Sequence, residues 1–127
     1  MKKLFFTVVM ITLFTTFSNA QLDCRKFRNG KFKLVDKELN TTYLITRKGA
    51  IQEEQIEGKE GIFTFDVVWT SDCTYVLHPT KESIEKFKVD FHLIVQIIDI
   101  KGSNVMLKMY SKEQPDKIFT KEVEFLE

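Results

Sequence analysis

The stretch FTFDVVWTSDCTYVL, Phe63 to Leu77, decides how this chain folds. Apolar side chains stand at every second position, Phe63, Phe65, Val67 and Trp69, and again at Cys73, Tyr75 and Leu77. Alternation of period two marks a half-buried β-strand, and two such runs around a tight turn, here Ser71-Asp72, read as a hairpin. Phe65, Val67 and Trp69 then face inward from one arm, and Cys73, Tyr75 and Leu77 from the other. The stretch also holds the only tryptophan and one of the two cysteines. Trp69 and Cys73 therefore mark either a chemical site or a structural staple.

The same pattern extends in both directions. GKFKLVD sets Phe32 and Leu34 on one face against Lys31 and Lys33 on the other, and TTYLITRKG offers Tyr43 and Ile45. AIQEEQIEG is a polar strand in which the odd spacing of Ile51 and Ile56 implies a bulge. TKESIEKF, residues 80–87, is the one helical piece, with Thr80 as N-cap. VDFHLIVQIIDIKG is apolar on both faces, which calls for a central strand or a bulge that switches register. SNVMLKMYSK returns from it, and KIFTKEVEFLE closes the chain with Phe119, Val123 and Phe125. About eight strands with short connections make an antiparallel meander, whose twist curls it and whose closure removes exposed edges. The expected fold is all-β: a small up-and-down barrel or half-barrel with one short helix. A two-sheet sandwich is the alternative.

The N-terminus, MKKLFFTVVMITLFTTFSNAQ, has Lys2 and Lys3 before an apolar run and small residues at Ser18 and Ala20. That is the layout of a secretory signal peptide over residues 1–20. The apolar run is shorter than the roughly 20 residues a spanning helix needs, so no transmembrane segment is expected after cleavage. Removing 20 of the 127 residues leaves 107, residues 21–127, read as a single domain. Two of the 19 basic residues go with the signal, leaving 17 against 18 acidic and a net charge of −1. A near-neutral chain has no global field to draw nucleic acid or an anionic membrane. The expected location is the periplasm or the extracellular space.

In such a compartment Cys24 and Cys73 form the one possible intrachain disulfide. A nucleophilic cysteine or a metal site is the rival reading. A nucleophile wants a base such as His78 or His92, and zinc wants paired ligands, whereas the chain has neither C-x-x-C nor H-x-x-x-H. No metal or cofactor is expected.

The segments CRKFRNGKFK and FDVVWTSDCTYVL, with the late IIDIKG hairpin, resemble a group of small secreted β-proteins of flavobacterial type. Members often carry the inherited designation DNA topoisomerase IV. A topoisomerase subunit is several times longer, works in the cytoplasm, and needs an ATPase fold or a nucleophilic tyrosine beside an acidic metal cluster; none of that fits here. The resemblance implies a β-rich, loosely lipocalin-like fold and carries no catalytic residue. NGKFK is similar to the lipocalin G-x-W at a first strand, with Phe32 in place of tryptophan.

Other clusters have ordinary readings. Arg25, Lys26, Arg28, Lys31 and Lys33 around Phe27 and Phe32 can clamp single-stranded nucleic acid or an anionic glycan, but a lysine-rich outer strand face is preferred, since alternation already accounts for Lys31 and Lys33. Glu53, Glu54, Glu57 and Glu60 lack calcium-loop spacing and read as a solvated hairpin. Asp66 and Asp72 flank Trp69 without a partner for acid–base work. No hydrolase, zinc-protease or phosphate-loop motif is present, so an enzyme is the third reading. The first is a non-enzymatic barrel binding a small apolar or amphipathic ligand, lined by Trp69, Tyr75, Phe65 and Tyr43. The second is a module that engages an envelope or extracellular protein.

Overall fold

A computed structural model describes residues 22–127; the leader read over residues 1–20 lies outside the described residues. A 3₁₀ turn, Arg25–Phe27, precedes strands β1 (Gly30–Asp36), β2 (Thr41–Lys48), β3 (Ile51–Ile56), β4 (Phe63–Trp69) and β5 (Thr74–Pro79). Helix α1 (Lys81–Phe87) leads to β6 (Leu93–Lys101), β7 (Asn104–Ser111) and β8 (Gln114–Phe125). The strands follow one another in sequence order around a closed antiparallel barrel. The meander is therefore complete, and the sandwich alternative is set aside.

Alternation sorts the side chains. Phe65, Val67, Tyr75, Leu77, Val95, Ile97, Val105, Leu107 and Val123 are buried inside, while Val68 and Ile98 on the outward parity are exposed. The opening hairpin pairs Val67 with Leu77 and Trp69 with Tyr75, so both arms turn these residues to the same face. In β6 the pairing with β7 slips between Ile97 and Asp99. This bulge moves the inward set from Val95 and Ile97 to Ile100, which explains a strand apolar on both parities.

β3 departs from expectation. Its register runs without a shift from Tyr43↔Ile56 to Lys48↔Ile51, so no bulge separates its two isoleucines. Ile51 simply faces out, 40% exposed, and Gln52 and Glu54 occupy inward positions. A period read from apolar residues alone cannot see an inner face that is polar.

The barrel ends differ. At one end the N-terminal turn folds under the strands and Phe27 packs edge-on to Phe125 at 5.3 Å, closing the bottom. Cys24 and Cys73 are joined in a disulfide that ties this turn to the β4–β5 turn. At the other end Thr80 caps α1, its side chain accepting from the Ser83 N–H, and Phe87 packs on Phe63 at 4.9 Å. Closure between first and last strands is short: Phe32↔Phe125 and Lys33↔Glu124 pair, and the rest of β8 lies against β7. Gly30 sits at this seam with φ +135°, where a Cβ would meet the Phe125 ring at 2.5 Å. Among the described residues no helix is long and apolar enough to cross a membrane.

Candidate functional site

The barrel interior holds a cavity of about 300 Å³ that is partly open to solvent. Its walls are the inward apolar residues of seven strands, among them Leu34, Ile45, Leu77, Leu93, Val95 and Leu107, with Phe91 from the segment after α1. An eight-stranded barrel either fills its interior with side chains or holds one small ligand. Here the inward residues of β6, β7 and β8 are mostly Val, Ile and Leu, which leave the axis unfilled. Near solvent, Lys121 donates to Asp36 at 3.4 Å, joining β8 to β1 beyond their last paired residues. The backbone N–H of Leu39 and the Lys121 ammonium hold the Asp36 carboxyl below its ordinary value.

The floor is polar. Arg47, only 5% exposed, donates from Nε and Nη2 to Gln52 Oε1 at 3.0 and 2.8 Å. It also donates from Nη1 to the Phe27 carbonyl at 2.6 Å and from Nη2 to Tyr75 Oη at 2.9 Å. Strand pairing makes this cluster: Arg47 and Gln52 are direct partners across the β2–β3 hairpin. The guanidinium lies 4.4 Å from the Tyr75 ring centre, 5.0 Å from Phe32 and 5.6 Å from Trp69, within cation–π range of all three. Gln52 in turn donates to Glu54 Oε1 at 2.9 Å. Burial pushes the Glu54 carboxyl up, outweighing the Gln52 hydrogen bond and the Arg47 charge. Burial also raises the Tyr75 phenol, against the pull of Arg47.

Of the four residues expected to line a ligand site, Tyr75, Phe65 and Tyr43 line the cavity. Trp69 does not, which corrects its place in the set. It stands directly across the β4–β5 hairpin from Tyr75, on the side of the N-terminal turn and Arg47. Its ring packs on Tyr75 at 4.6 Å, with the Arg28 guanidinium 5.0 Å away, and its indole N–H is buried with no acceptor among the described residues. Trp69 with the Cys24–Cys73 disulfide thus forms the packed base beneath the cavity.

Sequence reasoning missed Arg47, Gln52 and Glu54. Glu54 belongs to an acidic run that reads as solvated, and Glu53 in that run does face outward and is exposed. The signal that could have found them was parity: Arg47 shares the face of Tyr43 and Ile45, and Gln52 is its cross-strand partner.

The two histidines form a separate cluster outside the barrel. His78 and His92 stack at 4.3 Å with 15° between ring planes. His78 Nε2 lies 2.8 Å from Asp90, and His92 Nδ1 lies 2.8 Å from Glu113. The Ser111 hydroxyl and the His92 ring and backbone N–H groups pull the Glu113 carboxyl down to about 2. Neither cysteine is free to serve as a nucleophile beside them. Among the described residues no three His, Cys, Asp or Glu side chains gather as metal ligands. Asp72 pairs with Arg25 at 3.3 Å and Arg28 at 3.8 Å on the surface, which absorbs part of the basic N-terminal run. Comparison with known proteins finds no matching family model, no matching curated protein and no matching solved structure.

Proposed function

We propose that this chain is an exported, non-enzymatic binding protein that holds a small apolar or amphipathic molecule inside its barrel. The observation that carries the reading is the cavity of about 300 Å³, apolar along its walls and polar at one end. Its volume is at the lower end of the roughly 300–1,000 Å³ of small-molecule sites, and its few convergent polar groups fit their usual pattern. The disulfide and the apolar leader support export. Burial of an apolar guest supplies the affinity, and the floor cluster sets its orientation.

The test is a fluorescence titration with N-phenyl-1-naphthylamine, a neutral apolar probe, against the wild-type protein and Leu107→Trp. Leu107 lines the cavity wall, so the larger ring takes the guest's volume. Saturable binding to wild type, weakened about tenfold or more in a variant with an unchanged circular dichroism spectrum, is the expected result. Failure of the wild type to bind, or equal binding by both, refutes the reading.

A further inference from the structure

The floor of the cavity holds an electrostatic imbalance. Arg47 is buried, and an arginine keeps its charge in a protein interior. A buried charge is ordinarily paired, because leaving it alone forfeits its solvation. Among the described residues no carboxylate lies within 4.0 Å of this guanidinium; its hydrogen bonds end on an amide oxygen, a backbone carbonyl and a phenol, all neutral. The nearest acid in the cluster, Glu54, is reached only through Gln52, and burial favours its uncharged form. The three aromatic rings around Arg47 offset part of the cost without neutralising the charge.

Donors are also in surplus there. A guanidinium carries five N–H groups and an amide two, while a phenol both accepts and donates. Four of the Arg47 hydrogens are used, and one of the two on Gln52 Nε2. Tyr75 accepts from Arg47, and its own hydrogen has no acceptor among the described residues. All three side chains line the cavity. What is missing at this spot is an acceptor with negative charge.

We propose that the cavity floor takes the carboxylate of an aliphatic monocarboxylic acid, held by Arg47, Tyr75 and Gln52, with the hydrocarbon tail along the apolar walls. This rests on the reading of the barrel as a binding protein. The carboxylate accepts from the remaining Arg47 N–H, the Tyr75 hydroxyl and the second Gln52 N–H. The guanidinium fork itself stays on Gln52, so the acid is bound at one edge of it. A cationic amine at the same place meets Arg47, and an alcohol leaves the charge unbalanced. At roughly 30 Å³ per water-sized unit, the volume admits about ten such units, which suits a medium-length tail.

The experiment is isothermal titration of the disulfide-intact protein at pH 7.5 with decanoate, 1-decanol and decylamine, which share a tail and differ in head group. Decanoate is expected to bind about tenfold or more tighter than decanol, the worth of hydrogen bonds to a charged group, with decylamine weakest. Arg47→Gln should bring decanoate down to the level of decanol. Should that variant fail to fold, Tyr75→Phe keeps the ring against Trp69 and removes only the hydroxyl. It should weaken decanoate about fivefold or more and leave decanol unchanged. Equal binding of decanoate and decanol, or a preference for decylamine, overturns the head-group assignment while leaving the binding barrel standing. Failure of all three ligands and of N-phenyl-1-naphthylamine overturns both.

Discussion

Opening the Cys24–Cys73 disulfide should cost this barrel a large share of its stability. The bonded residues are 49 apart in sequence. In the chain-entropy model, releasing a loop of that length returns about 4 kcal/mol of freedom to the unfolded chain. Domains of this size have about 5–15 kcal/mol in total. At roughly 4 °C or more per kcal/mol, the melting temperature should fall by about 15 °C or more. What the bond holds makes the loss local as well as global. The 3₁₀ turn Arg25–Phe27 has no side-chain cap and is too short to persist alone. Apart from the disulfide it is held by Phe27, which is 1% exposed against Phe125 and Phe32, and by the hydrogen bond from Arg47 to the Phe27 carbonyl. The surface pairs of Asp72 with Arg25 and Arg28 add little. The assay is urea unfolding of wild type and Cys24→Ala/Cys73→Ala, followed by Trp69 fluorescence and by circular dichroism. The fluorescence transition of the variant should move further than the dichroism transition, because the base loosens before the strands part. A loss under about 1 kcal/mol, with coincident transitions, would refute the reasoning and assign the base to Phe27 packing alone.

Three further outcomes follow from named contacts. Gly30→Ala should destabilise by about 1–3 kcal/mol by urea titration, since φ +135° disfavours a side chain and the added Cβ meets both the Phe125 ring and the Glu127 carbonyl. Glu54→Gln should stabilise at neutral pH. Below the ordinary carboxylate value both states are protonated; as pH rises past it the unfolded chain ionises first, and wild-type stability falls until the raised native value is passed. The urea midpoints of variant and wild type should therefore separate as pH rises from 4 to 7, and parallel curves would contradict this. Glu113 has the opposite sign: its contribution is full above 4.5 and is lost as pH falls toward about 2. Glu113→Gln should flatten acid unfolding in that window, checked by dichroism against pH.

The barrel was legible because most of its strands announce themselves through apolar alternation, and because closure is the simplest remedy for edges in an eight-strand meander. The β6 bulge was one of two readings of a strand apolar on both parities, and the slip between Ile97 and Asp99 selects it over a strand covered on both faces. The cavity floor was not. Arg47, Gln52 and Glu54 lie in the most polar hairpin of the chain, and polar residues default to solvent unless the register is known. Only the pairing of Arg47 with Gln52 and of Ile45 with Glu54 shows that these side chains face inward. Trp69 faces inward as its parity implies; whether an inward ring meets a cavity or packed side chains depends on where the N-terminal turn folds back, which no periodicity encodes. The stacked histidines join β5 to the segment before β6, with carboxylates from that same segment (Asp90) and from the β7–β8 turn (Glu113), and no local motif links them.

Everything proposed for this protein depends on whether the interior of the barrel binds a guest. Methyl NMR of the isotopically labelled protein, titrated with N-phenyl-1-naphthylamine, tests it most directly. Saturable shifts are expected in the methyl groups of Leu77, Val95 and Leu107, which line the cavity, and none in the outward Val68 and Ile98. Shifts confined to Val68, Ile98 and other exposed methyl groups, or none at saturating probe, would contradict it.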